Sequence, residues 1–250
     1  MRADEVADLD GDGAEEIAVA THDQGVVAVA DPGDGGWRVT ELDQQPDTIV
    51  HEVEVGDLDG DGVMEIYATP SLPNKLDGSP QPGKVMRYLP DGGEGPTVVA
   101  DLGDRHAKEI LVADVAGDGT DELYVAVEAV SGGQVELLRF DADTPPDGGA
   151  RIASLPDQLT RFLTVGDVDG DGTQEMVAAA HTSGLWLLRP REEGAWKLSS
   201  IDRASSGFEH AAILTDLDGD GTDELYVAND DAAEVNRYVW GDDGFVKTTL

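Results

Sequence analysis

Five copies of one acidic loop recur along this chain, and they limit its possible folds more than any other feature. The loop reads Asp-x-Asp-x-Asp-Gly-x-x-Glu, and successive first aspartates are separated by 49, 57, 53 and 49 residues. The copies are DLDGDGAEE from Asp8, DLDGDGVME from Asp57, DVAGDGTDE from Asp114, DVDGDGTQE from Asp167 and DLDGDGTDE from Asp216. A repeat of about fifty residues is typical of propeller blades and too long for most helical solenoids.

The segments around each loop follow one pattern. A β-rich run precedes the loop, a second run follows it, and a third and a fourth complete the unit, with Gly, Asp and Pro between them. This pattern predicts an all-β fold, a five-bladed β-propeller with four antiparallel strands per blade and the acidic loop between the first and second strands. We expect a single propeller over residues 1–250, with approximate blades at 1–48, 49–104, 105–158, 159–206 and 207–250. The alternative is an open fragment of a larger propeller, because no strand is left over to close the ring.

The loop chemistry indicates calcium. Calcium takes six to eight oxygen ligands in flexible geometry, and carboxylates at loop positions 1, 3 and 5 can converge on one ion, with the carbonyl of position 7 as a further ligand. An EF-hand needs a glutamate at position 12, whereas position 12 is apolar here and the glutamate stands at position 9. The predicted ligand residues, with position 7 contributing its backbone carbonyl, are Asp8, Asp10, Asp12, Ala14, Glu16, Asp57, Asp59, Asp61, Val63, Glu65, Asp114, Asp118, Thr120, Glu122, Asp167, Asp169, Asp171, Thr173, Glu175, Asp216, Asp218, Asp220, Thr222 and Glu224.

One copy departs from the pattern. Ala116 stands where the second aspartate of the third loop is expected, so we expect a weaker or water-completed site there. The chain should therefore bind four to five Ca²⁺ ions. Their predicted role is structural, because the carboxylates would repel one another without metal and an ion that binds only the folded state stabilises it.

Composition excludes several classes of function. The formal net charge is −37, from 53 acidic and 16 basic residues, so nucleic acids and anionic membrane surfaces are disfavoured partners. The absence of cysteine excludes disulfides, zinc–thiolate sites and thiol catalysis. No apolar run reaches the length of a membrane span and no signal peptide is visible at Met1, so we expect no membrane insertion.

These acidic loops within units of about fifty residues resemble the FG-GAP and VCBS repeats, which form the calcium-bearing propeller of integrin α chains. The resemblance covers nearly the whole chain. It implies an extracellular or cell-surface protein, and it implies recognition or adhesion more often than catalysis.

Basic residues recur on the side opposite the loops. Six residues before the first aspartate of each loop stand Arg2, His51, Lys108, Arg161 and His210, a set that we name the basic ring. In a propeller this position begins the innermost strand, at the mouth of the central channel. His22 and His181 occupy equivalent loops on the same side, and His106 precedes the third blade. These residues predict a site for an anionic ligand, although they can equally balance the acidic chain by pairing with Glu52, Glu109 or Glu209.

Three functions therefore compete. The first is a non-catalytic recognition module, a monomer that binds a protein, an anionic glycan or a small anion. The second is an enzyme. A glycosidase would need a carboxylate pair, for which Glu52, Glu128 and Asp230 are candidates, whereas a metal-dependent hydrolase or polysaccharide lyase would use His51 and His210 with His22 or His181. The third is a structural repeat domain of a larger exported protein.

Overall fold

Five similar β-sheets make up the described part of the protein. The computed structural model describes residues 3–33, 35–73, 75–93, 95–191, 194–242 and 244–250. In these ranges twenty strands form five four-stranded antiparallel sheets, each built from four strands that are consecutive in the chain, and no α-helix is present. The predicted five-bladed β-propeller is therefore confirmed. None of the described segments forms a helix long and apolar enough to cross a membrane.

The blades are numbered in chain order, and each takes four successive strands. The strands are β1 (Ala3–Ala7), β2 (Glu16–Ala20), β3 (Val26–Gly33), β4 (Gly36–Gln44), β5 (Ile49–Gly56), β6 (Glu65–Ser71), β7 (Lys84–Tyr88), β8 (Thr97–Asp101), β9 (Ala107–Ala113), β10 (Glu122–Val127), β11 (Val135–Phe140), β12 (Ala150–Leu155), β13 (Thr160–Gly166), β14 (Glu175–Ala180), β15 (Leu185–Pro190), β16 (Trp196–Asp202), β17 (Ala211–Thr215), β18 (Glu224–Asn229), β19 (Glu234–Gly241) and β20 (Gly244–Thr249). Every acidic loop joins the first and second strands of its blade, as the repeat predicts.

The second strands of the three middle blades show why the apolar runs are continuous. Every residue of β6, β10 and β14 is buried, because each of these strands has a neighbouring blade on both faces. A strand covered on both faces has no solvent side and therefore no alternation of polar and apolar residues. The runs EIYATPS, ELYVAV and EMVAAA meet this condition.

Hydrophobic cores lie between successive blades. The first strands β1, β5, β9, β13 and β17 contact one another in that order. Four clusters of buried apolar side chains join blades one to two, two to three, three to four and four to five. The order of blades around the channel thus follows the chain.

Blades one and five share no such core within the described residues, and each leaves apolar side chains uncovered, among them Val6 of blade one at 53% exposed. The residue after the first aspartate of each loop shows this, since Leu9, Leu58, Val115 and Val168 are 0–6% exposed whereas Leu217 of blade five is 68% exposed. Ile213 and Val235 on the same side of blade five are 56% and 49% exposed. With no strand left over, a closed ring would need side-chain packing between the first and last blades, and no such packing is present among these residues.

Two glycines allow close contact between neighbouring loops. The Asp121 side chain reaches from the loop of blade three to blade two, where its Oδ2 accepts the backbone N–H of Asp57 at 2.8 Å. A Cβ on Gly56 would lie 2.7 Å from that oxygen. Asp223 and Gly166 repeat the arrangement between blades five and four, with a Cβ-to-oxygen distance of 2.6 Å. Glycine at these positions leaves room for the carboxylate that ties adjacent blades together.

Replacing Gly56 with alanine should destabilise the protein. The added methyl would lie 2.3 Å from Val112 Cγ1 as well as close to Asp121, so we expect the free energy of unfolding to fall by about 1–3 kcal/mol, the range for overpacked sites. Urea denaturation of the calcium-saturated protein measures this change. Ala113→Gly, at the equivalent position of blade three, is the matched control and should cost no more than about 1 kcal/mol. Equal costs for both variants would contradict the steric explanation.

Candidate metal centres and the central cavity

Backbone hydrogen bonds shape all five acidic loops in the same way. The glycine at position 6 has φ between 84° and 92° in every copy, a conformation that side chains other than glycine rarely adopt. Its N–H donates to Oδ2 of the first aspartate, for example from Gly13 to Asp8 at 3.0 Å and from Gly172 to Asp167 at 2.8 Å. The N–H of position 7 donates to Oδ1 of the third aspartate, as from Val63 to Asp61 at 2.9 Å. The loops are therefore preformed around their first and third carboxylates.

The glutamate at position 9 is buried behind each loop. Glu16, Glu65, Glu122, Glu175 and Glu224 are 0–3% exposed. In each copy Oε2 accepts the backbone N–H of loop position 2, for example from Leu9 at 2.8 Å. Burial raises the pKa of Glu175 to about 7, although Arg189 opposes the shift. Position 9 thus ties the start of the loop to the second strand and brings a carboxylate close to the candidate metal site.

An arginine on the third strand, which sequence reasoning missed, joins two of these acids. Arg189 Nη1 lies 2.5 Å from Asp169 Oδ2 and 3.4 Å from Glu175 Oε1. Arg87 and Arg237 form the same pair of contacts in blades two and five. The signal was present, since four of the five third-strand runs contain one arginine, in the strings KVMRY, VELLRF, LWLLRP and EVNRYVW. These cations reduce the repulsion within the loops and hold the acids in place.

Three carboxylates converge in four of the five loops. One oxygen from each of three residues lies within 4.8 Å of the others in the first, second, fourth and fifth copies. The four clusters are Asp8, Asp10 and Glu16; Asp57, Asp59 and Asp61; Asp167, Asp169 and Glu175; and Asp216, Asp218 and Asp220. Convergent hard oxygen ligands fit a divalent cation such as calcium. The remaining predicted ligands, including the position-7 carbonyls, stay predictions.

The third loop has no such cluster among the described residues. Ala116 provides no oxygen, and Arg139 pairs instead with Glu122 at 2.9 Å and with Asp141 at 2.6 Å. The backbone frame is nonetheless kept, because the Gly119 N–H donates to Asp114 Oδ2 at 2.8 Å. The geometry agrees with the expectation of a weaker site in this copy.

Ala116→Asp should raise the calcium affinity of the third loop at least about tenfold. A carboxylate about 4 Å from a divalent ion contributes more than about 1.4 kcal/mol even at the dielectric constant of water. Isothermal titration calorimetry of the wild type should resolve four tight sites and a weaker one, and the variant should convert the weaker site. Ala116→Asn, which adds an oxygen without charge, is the control and should have a smaller effect. Five equivalent sites in the wild type would contradict this interpretation.

The basic ring lies inside the fold. His51, Lys108, Arg161 and His210 are 6%, 6%, 3% and 0% exposed, and Arg2 lies outside the described residues. His210 Nδ1 lies 2.9 Å from the Ala180 carbonyl oxygen and its Nε2 lies 3.0 Å from Ser205 Oγ. The Arg161 guanidinium lies 4.3 Å from the ring centroid of Phe208 and the Lys108 ammonium 5.8 Å from that of Phe162. The equivalent positions thus form a buried layer that is partly covered by aromatic rings.

The structure groups the histidines differently from the sequence-based pairing of His51 with His210. The ring centroid of His51 lies 6.5 Å from that of His22 and 5.0 Å from that of His106. Burial, followed by the nearby Lys108 charge, lowers the pKa of His106 to about 4, so that its imidazole is neutral at pH 7. His181 instead contacts Phe208, with 6.1 Å between ring centroids. The candidate histidine cluster is therefore His22, His51 and His106.

The carboxylates considered for a glycosidase lie in different surroundings. Glu52 lines a cavity of about 490 Å³ along the first strands. Glu128 borders a different, much smaller pocket beside His106. Asp230 is exposed and its Oδ2 accepts the Glu209 N–H at 3.4 Å. No carboxylate pair for glycoside hydrolysis is thus assembled from these three side chains.

Comparison with known proteins supports the repeat assignment. Residues 8–68 and 167–227 match the model of the FG-GAP-like repeat family. Each segment runs from one acidic loop past the next, so that the matches contain the four loops with converging carboxylates and leave out the third. No curated protein sequence matches the chain.

Several solved structures share the fold at low sequence identity. A protein from Lactobacillus plantarum is 17% identical with a TM-score of 0.58, and the alignment covers 100% of this chain and 69% of that one. A proposed 6-phosphogluconolactonase from Bacteroides fragilis is 14% identical with a TM-score of 0.55, over 94% and 66% of the two chains. An exo-β-1,3-galactanase from Phanerochaete chrysosporium is 10% identical with a TM-score of 0.53, over 100% and 61%.

The chain thus spans about two thirds of the length of these proteins, and the likeness concerns the fold alone. The five sheets of four antiparallel strands and the two matched segments agree with each other. The chain is therefore a five-bladed β-propeller that contains FG-GAP-like repeats.

Proposed function

We propose that this chain is a calcium-stabilised recognition module of an extracellular or cell-surface protein, and that it is not itself an enzyme. The observation that carries the proposal is the convergence of three carboxylates in each of four loops that occupy equivalent places in the blades. Ions at these loops would stabilise the fold from one side and leave the opposite mouth and the channel for a ligand. An adhesion role follows the same reasoning, with a protein or a glycan as partner.

Calcium fits the four clusters better than a transition metal. The converging donors are all carboxylate oxygens, the ligand type that hard cations prefer, and the loops contain no histidine or cysteine. A calcium ion would also offset part of the net charge of −37. Free calcium is high outside cells, which favours an extracellular location for a protein that needs several such ions.

The face opposite the loops favours binding over catalysis. The candidate carboxylates Glu52, Glu128 and Asp230 are not brought together, so glycoside hydrolysis has no assembled acid and base among them. The predicted binding of an anion at the basic ring stays a prediction. The described side chains of the basic ring are buried, and the positive charges of Lys108 and Arg161 both lower the pKa of Glu109. These contacts favour a role in stabilising the fold for these two cations.

A metal-dependent hydrolase or lyase is the second candidate, and the cluster of His22, His51 and His106 is the observation in its favour. Neutral imidazoles are ligands for zinc, copper and iron. Ring separations of 6.5 Å and 5.0 Å make His51 the common neighbour of the other two histidines. Among the described residues, however, their nitrogens do not form a group of three within 4.8 Å of one another, as the acids of the loops do. The third candidate, a purely structural repeat domain, predicts that neither the mouth nor the channel has a ligand.

Elemental analysis of protein purified without chelators or metal-affinity resin distinguishes the first two candidates. We expect about four or five calcium ions per chain and no transition metal. About one equivalent of zinc, copper, iron or manganese that is lost in His106→Ala would favour the hydrolase or lyase. Binding of the calcium-loaded protein to arrays of acidic and neutral glycans and of extracellular proteins then tests recognition, and Arg161→Glu reports on the basic ring. A chain without bound calcium would overturn the proposal.

A further inference from the structure

We propose that the central cavity binds an organic cation, with its ammonium head among Glu5, Glu52, Glu54 and Glu109 and its aliphatic part against the apolar wall opposite. The inference rests on the proposed role as a recognition module, and it names the class of ligand. The ligand chemistry is that of an alkyl amine, either free or as the lysine side chain of a partner. The cavity is about 490 Å³ in volume, within the range of small-molecule sites.

One wall of the cavity is acidic. Glu5 comes from β1, Glu52 and Glu54 from β5 and Glu109 from β9, so three neighbouring first strands contribute the four carboxyl groups. Burial, followed by the charges of Glu5, Glu109 and Glu52, raises the pKa of Glu54 well above its usual range. These acids destabilise one another in the charged state. Lys108 and Arg161 already oppose this effect at Glu109, and a cation placed among the four acids would reduce the remaining repulsion.

Glu109 provides a second and independent observation. Its side chain is 4% exposed, lines the cavity, and uses Oε1 to accept the Leu163 N–H at 2.8 Å. Its other oxygen, Oε2, is buried and has no hydrogen-bond partner among the described residues. A buried carboxylate oxygen without a donor is costly, and an ammonium group with three N–H donors would satisfy it.

The opposite wall is apolar. Phe162 and Leu163 of β13, Ala212 and Ile213 of β17, and Val235 of β19 line it. Ile213 and Val235 belong to the uncovered side of blade five, so the cavity continues from the channel onto that side. An aliphatic chain of several methylene groups would be removed from water here, which should tighten binding about fourfold for each methylene group buried.

A bare metal ion fits this cavity less well than an amine. The four glutamates do not form a group of three carboxylates with oxygens within 4.8 Å of one another, unlike the acids of the loops. The only side-chain oxygens lining the opposite wall are the hydroxyls of Thr164 and Tyr226, and these already make hydrogen bonds, with the Leu214 N–H and with Glu224, so this wall has little to complete a coordination shell. An ammonium group needs only a few acceptors, and its alkyl chain matches the remaining surface.

Calorimetric titration of the calcium-saturated protein with n-alkylamines from ethylamine to octylamine tests the inference, with the n-alcohols as neutral probes. We expect one amine per chain, affinity that rises with chain length, and binding at least about tenfold tighter than that of the matching alcohol. Glu54→Gln and Glu109→Gln should each weaken amine binding about tenfold or more, because each removes a charged acceptor. Glu41→Gln, at an exposed site on β4, is the control and should have no effect.

The outcomes separate this inference from the proposed function. Calcium content measured beside each titration shows whether amines act at the loops, and amine binding that depends on calcium release would overturn the inference. Equal binding of amine and alcohol, or amine binding unchanged in Glu54→Gln, would overturn it as well. Should Glu109→Gln fail to fold, Glu5→Gln replaces it. Bound calcium without amine binding would overturn only this inference. Absence of bound calcium would overturn the proposed function.

Discussion

Adding EGTA to the calcium-loaded protein should lower its melting temperature by about 20–40 °C. An ion present at a hundred times its dissociation constant stabilises the folded state by about 2.7 kcal/mol, so four ions contribute about 10 kcal/mol. That is comparable to the whole free energy of unfolding of an ordinary domain. A change of about 1 kcal/mol shifts the melting temperature by about 2–4 °C in a chain of this size, which leads to the expected range.

Differential scanning calorimetry with and without EGTA measures the effect, and added calcium should reverse it. Asp57→Asn removes one carboxylate from the second cluster and should produce a fraction of the shift. Asp242→Asn, at an exposed aspartate outside the loops, is the matched control and should leave the melting temperature unchanged. An identical melting temperature with and without EGTA would show that the loops are solvated turns.

The second large effect comes from the difference in burial between equivalent leucines of blades two and five. Leu58→Ala should lower the free energy of unfolding by about 2–5 kcal/mol, because Leu58 is 6% exposed in the core between blades two and three. Leu217→Ala, at the equivalent position of blade five, should change it by no more than about 0.5 kcal/mol, because Leu217 is 68% exposed. The two substitutions remove the same atoms from the same place in the repeat.

Urea denaturation of both variants, saturated with calcium, makes the comparison. The comparison also tests whether the ring of blades is open or closed, because the side of blade five that carries Leu217 is exposed in an open ring and buried in a closed one. A cost for Leu217→Ala equal to that for Leu58→Ala would mean that this side is packed in solution, either by blade one or by another molecule.

Much of the architecture was predictable because the repeat is strict. Position 6 of each loop requires a left-handed backbone, and only glycine occurs there, so Gly13 and its equivalents marked the same turn in every blade. Each β-rich run between such turns became one strand. The distinct third loop was also visible, because Ala116 has no oxygen to offer.

Other parts of the candidate site depended on which blades become neighbours. Arg189 reaches two acids because β15 pairs with β14 and passes behind the loop of the same blade. His51 meets His106 rather than His210 because β5 lies beside β9. The glutamates of the cavity are four single residues in sequence, and three adjacent first strands place them on one wall.

The amino-acid pattern alone was enough for the all-β repeat, the strand count of each blade and the acidic loops, because these depend on interactions within about fifty residues. Burial of the basic ring, the cavity with its acidic and apolar walls, and the uncovered sides of blades one and five arise from contacts between blades. Leu58 and Leu217 illustrate the difference, since they are the same residue at the same repeat position and only the presence of a following blade buries one of them.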